Sequence, residues 1–119
     1  MSVVPTDPDC LFCKIVSGEI PASIVHETEH TVAFRDIEPQ APVHVVVIPR
    51  RHVPDVATLT TQASDELVDL MAVLPTVAEL EGVADGYRLV ANTGAGAHQT
   101  VFHAHIHVLG GRSMRWPPG

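Results

Sequence analysis

The segment His103-Ala104-His105-Ile106-His107-Val108-Leu109 alternates imidazoles with small or apolar side chains. Side chains on a β-strand point to opposite faces in turn. A strand here places three imidazoles on one face, about 7 Å apart at each step, and turns Ala104, Ile106 and Val108 into a core on the other. Three imidazoles bring six ring nitrogens that need partners, more than packing alone calls for. Imidazole also titrates near neutrality, so it serves as nucleophile, acid, base or metal ligand without extreme tuning.

Working outward, residues 93–100 form a small-residue loop feeding this strand, and residues 86–92 read as another strand. In that strand Tyr87, Leu89 and Ala91 share one face, and Arg88, Val90 and Asn92 the other. Gly110-Gly111 ends the histidine strand, and residues 114–119 are an extended tail. Residues 43–48 are apolar nearly throughout, the pattern of a strand covered on both faces, with His44 inside it and Pro49 stopping it. Residues 23–27 and 31–36 read as a hairpin. In residues 63–83, Leu67, Leu70, Met71, Leu74, Val77 and Ala78 give the i, i+3, i+4 recurrence of one long amphipathic helix, interrupted at Pro75 and ended by Gly82 or Gly86. Asp9 is positioned to cap a short helix through residues 10–16 that Gly18 closes. The expectation is a flexible arm over residues 1–9 and a single domain over 10–119. Its order is short helix, three strands, long helix, two strands, which predicts an α+β protein with an antiparallel sheet.

Composition narrows the functional classes. A chain of 119 residues, 45% hydrophobic, suffices for one domain with its own core. A net charge of −7 with one lysine, Lys14, argues against a nucleic-acid backbone as partner, because that partner needs a basic stripe. A single phosphate remains accessible to a local pocket of imidazoles and backbone N–H groups. No apolar run approaches the roughly 20 residues that span a bilayer. The N-terminus lacks the pattern of a signal peptide, so a cytoplasmic protein without a membrane partner is expected. There, Cys10-x-x-Cys13 reads as a metal half-site or a redox pair rather than a structural disulfide.

The histidine segment fits the pattern HφHφHφφ, with φ apolar, and the chain resembles the histidine triad (HIT) superfamily. The likeness extends to Cys10-Leu11-Phe12-Cys13-Lys14-Ile15, Ala33-Phe34-Arg35-Asp36-Ile37, residues 44–49 and Gln99-Thr100-Val101. The tail, Gly110-Gly111-Arg112-Ser113-Met114-Arg115-Trp116-Pro117-Pro118-Gly119, is similar to that of the Hint branch. The resemblance implies a HIT-like fold, with a five-stranded antiparallel sheet, one long and one short helix, and a homodimer whose sheets merge into ten strands. It implies a nucleotide hydrolase or transferase of the purine nucleoside phosphoramidase type, working through a nucleotidyl-histidine. Alternatives are a dinucleoside polyphosphate hydrolase of the Fhit type and a nonenzymatic nucleotide-binding regulator.

By position in the motif, His105 is the expected nucleophile, His107 a donor to a phosphate oxygen, and His44 the family's further histidine near the phosphate. Gln99 and Thr100 precede the triad where a hydroxyl can serve the leaving group. Asn92 matches a phosphate contact, and Asp36 the carboxylate that holds the ribose hydroxyls. Phe12, Ile15, Phe34 and Ile37 are expected to form a slot for the base, with Val101 beside it and Arg35 stacking near it. Before Gln99, where the Hint pattern leads one to expect glycine, this chain has His98. In bacterial relatives the two cysteines bind zinc with two histidines, here His52 and His103. Two thiolates and two imidazoles make a closed, structural set, and catalysis itself needs no cofactor.

Overall fold

The computed structural model describes residues 4–119. Its centre is β3, Val43–Pro49, whose β-branched run has a strand on either side and a layer on either face. All but its first residue are buried, as a two-sided strand requires. The hairpin β1 (Ile24–Glu27) and β2 (Thr31–Arg35) pairs along one edge of β3, and β5 (Ile106–Gly110) along the other. Outside β5 lies β4 (Tyr87–Val90), so the order is β1-β2-β3-β5-β4, antiparallel throughout. This is the expected five-stranded α+β architecture.

The period of two sorts the strands onto two faces. Ala33, Val45, Val47, Ile106 and Val108 pack against Leu70, Val73, Leu74 and Val77 of the long helix α3 (Ser64–Leu80). On the opposite face Val32, Phe34, Val46 and Ile48 pack under Phe12 of the short helix α1 (Leu11–Val16). His44 and His107 share this second face, because His44 lies two positions from Val46 on β3 and His107 stands directly opposite Val46 across the β3–β5 ladder.

Three expectations change. First, the described residues form three α-helices, not two: α2 (Val56–Gln62) precedes the long one. Asp55 starts it, Oδ1 accepting from the Thr58 N–H at 2.7 Å, and Ala63 at φ −153° separates it from α3. Second, the cap of α1 is Cys10 rather than Asp9, its Sγ accepting from the Cys13 N–H at 3.4 Å. Third, the histidine strand begins at Ile106, after the first two histidines. The Pro49 carbonyl, where β3 ends, accepts from the His103 ring, and the Ala104 N–H donates to Val53. With those groups committed elsewhere, the ladder cannot extend back to His103. Pro75 stays inside α3, and Gly82 (φ +75°) follows its end.

The expected arm falls partly outside the described residues. Within them, Pro5 accepts from the His52 N–H at 2.8 Å, and the Asp7 N–H donates to Cys13 Sγ at 3.4 Å. No helix among the described residues is long and apolar enough to cross a membrane.

Candidate functional site

A cleft of about 720 Å³ opens on the α1 side of the sheet. Its apolar end is built from Phe12, Ile15, Phe34, Val46 and Ile37, which is 94% exposed and stands at the mouth. Its polar end gathers Asp36, His44, Asn92, Thr100, His105 and His107. Of the expected site residues, Val101 and Arg35 also line it. The Arg35 guanidinium is gripped by both oxygens of Glu81 at 2.9 Å and by Ser23 at 3.2 Å, so its head group ties β2 to the end of α3. Gln99 does not line the cleft. It is buried behind the loop, accepting from the Gly94 N–H at 2.8 Å and donating to the Pro54 and Val101 carbonyls at 2.6 and 3.0 Å. Those three bonds hold the loop that carries His98 and Thr100.

Backbone groups set the proton on each buried imidazole. A carbonyl can only accept, so His105 Nδ1, 2.8 Å from the His103 carbonyl, carries the hydrogen and leaves the Nε2 lone pair free. A backbone N–H can only donate. The Gln40 N–H, 3.0 Å from His44 Nδ1, therefore places the His44 proton on Nε2. That Nε2–H donates to His107 Nδ1 at 2.8 Å, and His107 in turn carries its hydrogen on Nε2. The result is a relay from Gln40 through His44 to His107 that ends in an N–H donor, beside a nucleophilic lone pair on His105. The His105 and His107 rings lie 4.9 Å apart at 79°. Gln40 carries no sequence signal for this role, because its backbone makes the bond. Asp36 turns the chain through the Glu38 N–H at 2.8 Å and holds Oδ2 3.4 Å from His44 Nε2.

Burial dominates the titration of His107 and His44. It pushes His107 down to about 4, with the neighbouring His105 and His44 adding to the effect and Asp36 opposing it. It also lowers His44, again against Asp36. Both rings are therefore neutral near pH 7, as the relay requires.

Behind the cleft a second cluster forms. His103 is fully buried, its Nε2–H donating to the Pro49 carbonyl at 2.8 Å, so Nδ1 presents a lone pair. That nitrogen lies 3.4 Å from Cys10 Sγ, 3.6 Å from Cys13 Sγ and 3.2 Å from His52 Nδ1, and Cys13 Sγ lies 3.5 Å from His52 Nδ1. A tetrahedron with zinc–nitrogen bonds of about 2.05 Å and zinc–sulfur bonds of about 2.3 Å has N–N edges near ~3.3 Å and N–S edges near ~3.6 Å. The four distances match these edges, and all four ligand atoms lie within 4.8 Å of one another. Burial pushes the Cys13 thiol up to about 11 and His103 down to about 4. The thiol thus needs a cation to hold it ionised, while the imidazole already offers its lone pair. Phe12 stands between the two clusters, edge-on to His103 at 5.9 Å and to His105 at 5.2 Å.

The HIT domain profile matches residues 17–114. Among curated proteins, the Arabidopsis thaliana protein named adenylylsulfatase HINT1 is 42% identical, over 100% of this chain and 82% of its own length. A Zea mays protein named 14 kDa zinc-binding protein is 44% identical, over 95% and 90%. Among solved structures, a HIT family hydrolase from Clostridium thermocellum superposes with a TM-score of 0.89 at 44% identity, covering 92% of this chain and 96% of that one.

Proposed function

Because the chain belongs to the HIT domain family, on its Hint-like branch, we propose that it is a nucleotide hydrolase that opens a bond at the α-phosphate of a purine nucleoside monophosphate, with an amine as leaving group. One observation carries the reading: the His103 carbonyl locks the His105 proton on Nδ1 and leaves Nε2 nucleophilic, next to the donor end of a histidine relay. In the first step Nε2 attacks phosphorus and the phosphorus–nitrogen bond of the substrate breaks. The electron pair departs with the amine, which takes up a proton, Thr100 being the hydroxyl placed to pass it. The His105 ring becomes cationic, and its Nδ1–H bond to the His103 carbonyl strengthens as it does. In the second step water attacks the same phosphorus, releasing the nucleoside monophosphate. The phosphorus–Nε2 bond breaks, its electron pair returns to the now neutral imidazole, and the proton the water gives up replaces the one the amine took. His107 Nε2–H and Asn92 donate to the phosphate oxygens, where charge accumulates. Asp36 accepts from the ribose hydroxyls, and the base enters the slot of Phe12, Ile15, Phe34 and Ile37.

The name of the Arabidopsis relative favours a second reading, in which sulfate replaces the amine as the leaving group and the same nucleophile serves. Zinc is proposed at Cys10, Cys13, His52 and His103, in keeping with the edge lengths above and with the name of the maize relative. A closed four-ligand set leaves no position for substrate, so the ion supplies stability rather than chemistry. A homodimer is proposed as well. Exposed Val68, Met71 and Leu80 on α3, and Leu89 on the unpaired edge strand β4, supply apolar surface for it.

The test compares wild type and His105→Ala on an adenosine phosphoramidate, adenylyl sulfate and diadenosine polyphosphates. Loss of the missing nucleophile should lower phosphoramidate turnover by about a thousandfold or more. Full activity without His105 overturns the mechanism. Preference for sulfate release selects the second reading, and preference for the polyphosphates excludes both.

A further inference from the structure

His98 is the one non-glycine residue with a positive φ among the described residues, at +65°. A side chain in the left-handed region is strained, and such strain persists only where the surroundings enforce it. Here they do. A 3-10 turn over Ala95–Ala97 leads into it, the His98 and Gln99 N–H groups close back onto Ala95 and Gly94, and the buried Gln99 side chain bolts the turn to the body through three backbone bonds. The enforced conformation carries an exposed imidazole onto the cleft wall. Unlike His44, His103, His105 and His107, its ring makes no hydrogen bond within the described residues.

Position then suggests a task. The cleft lining combines apolar side chains, the buried histidines and the loop that carries His98 and Thr100. The other charged side chains lining the cleft are Asp36 and Glu38, which repel an anionic substituent, and Arg35, whose guanidinium is already paired with Glu81. On its own wall His98 is the only ionisable side chain from Ala91 to Val101.

We propose that His98 is a specificity-determining residue of this site: it contacts the leaving group and favours one that bears a carboxylate over its neutral counterpart. This rests on the phosphoramidase reading above. An imidazole beside a carboxylate gains a charge-assisted hydrogen bond, which glycine at the same position cannot supply. Glycine also adopts a φ of +65° without strain, so His98→Gly keeps the loop geometry while removing only the ring.

The experiment measures kcat/KM for two substrates of matched size, adenosine 5′-phosphoramidates of glycine and of glycinamide. Wild type and the His98→Gly and His98→Asn variants are compared. Dividing each variant's substrate ratio by that of wild type cancels the intrinsic difference between the amines. The expected result is a wild-type preference for the carboxylate that falls about fivefold in His98→Gly, with His98→Asn between them. An unchanged ratio in His98→Gly, with both substrates cleaved, overturns this proposal and leaves the phosphoramidase reading standing. Failure of wild type to cleave either substrate overturns both.

Discussion

At the level of single residues, His107 couples stability to pH. Its folded value of about 4 lies below the ordinary imidazole value near 6.5, and His44 is lowered too. As pH falls from about 6.5 toward about 4, the unfolded chain binds protons that the folded state refuses, so stability declines through that window and is complete above it. The loss attributable to His107 is at most about 3 kcal/mol. Thermal unfolding from about pH 7 to about pH 4.5 checks it: the wild-type curve should slope, and His107→Asn should make it shallower, with His103 and His44 supplying the remainder. A wild-type curve with no slope contradicts the desolvation. At His98, relief of left-handed strain and the added freedom of glycine in the unfolded chain oppose each other. His98→Gly should therefore shift stability by less than about 1 kcal/mol in a denaturant titration. Residue types and spacing already singled out His105 and His107, and the family resemblance added His44. They could not say which ring nitrogen bears each proton, because the Gln40 amide and the His103 carbonyl decide that only once the chain is folded.

At the level of elements, contacts between segments dominate. Asp69 on α3 accepts from Thr28 and Thr31 at 2.6 Å each, stitching the helix to the first hairpin. Burial of Asp69 opposes its ionisation, but the two hydroxyls outweigh this and hold its carboxyl below the ordinary range. Asp69→Ala leaves the buried Thr31 hydroxyl without its partner and should cost about 2–3 kcal/mol, read from the denaturation midpoint. Gly110 ends β5 against the turn after α3, where an added Cβ would stand 2.9 Å from Val83 Cβ. Gly110→Ala should destabilise by about 2 kcal/mol in the same assay. The strands and α3 were legible because period and burial agree along each. Helix α2 was not: Val-Ala-Thr-Leu-Thr-Thr-Gln is poor in strong helix formers, and its start depends on one Asp55 cap. The early end of the histidine strand was hidden for a different reason, since the Pro49 carbonyl is taken by a side chain 54 positions away.

At the level of the whole molecule, the cluster of Cys10, Cys13, His52 and His103 joins parts of the chain far apart in sequence. Cys10 and Cys13 come from α1, His52 from the loop after β3, and His103 from the approach to β5. If zinc sits there, purified protein should contain one ion per chain. A strong chelator should then lower Tm, because a ligand bound only by the folded state stabilises it by mass action. Cys13→Ser should lower metal content without the chelator. Metal-free protein with an unchanged Tm would remove the ion from the account.

What the sequence alone determined about this protein is its periodicity and its chemistry: a two-period strand pattern, one long amphipathic helix, and the residue types of both clusters. These follow from local rules, since side-chain direction along a strand or helix needs only the neighbouring residues. Tertiary structure decided the division of labour in the histidine row. His103 turns its ring to the cysteines and lends its carbonyl to His105, while His105 and His107 face the cleft. It also put Gln99 behind the loop rather than in the site, and His98 in front of it. Those outcomes depend on which distant backbone groups are left unpaired when the sheet closes, and no local pattern encodes that.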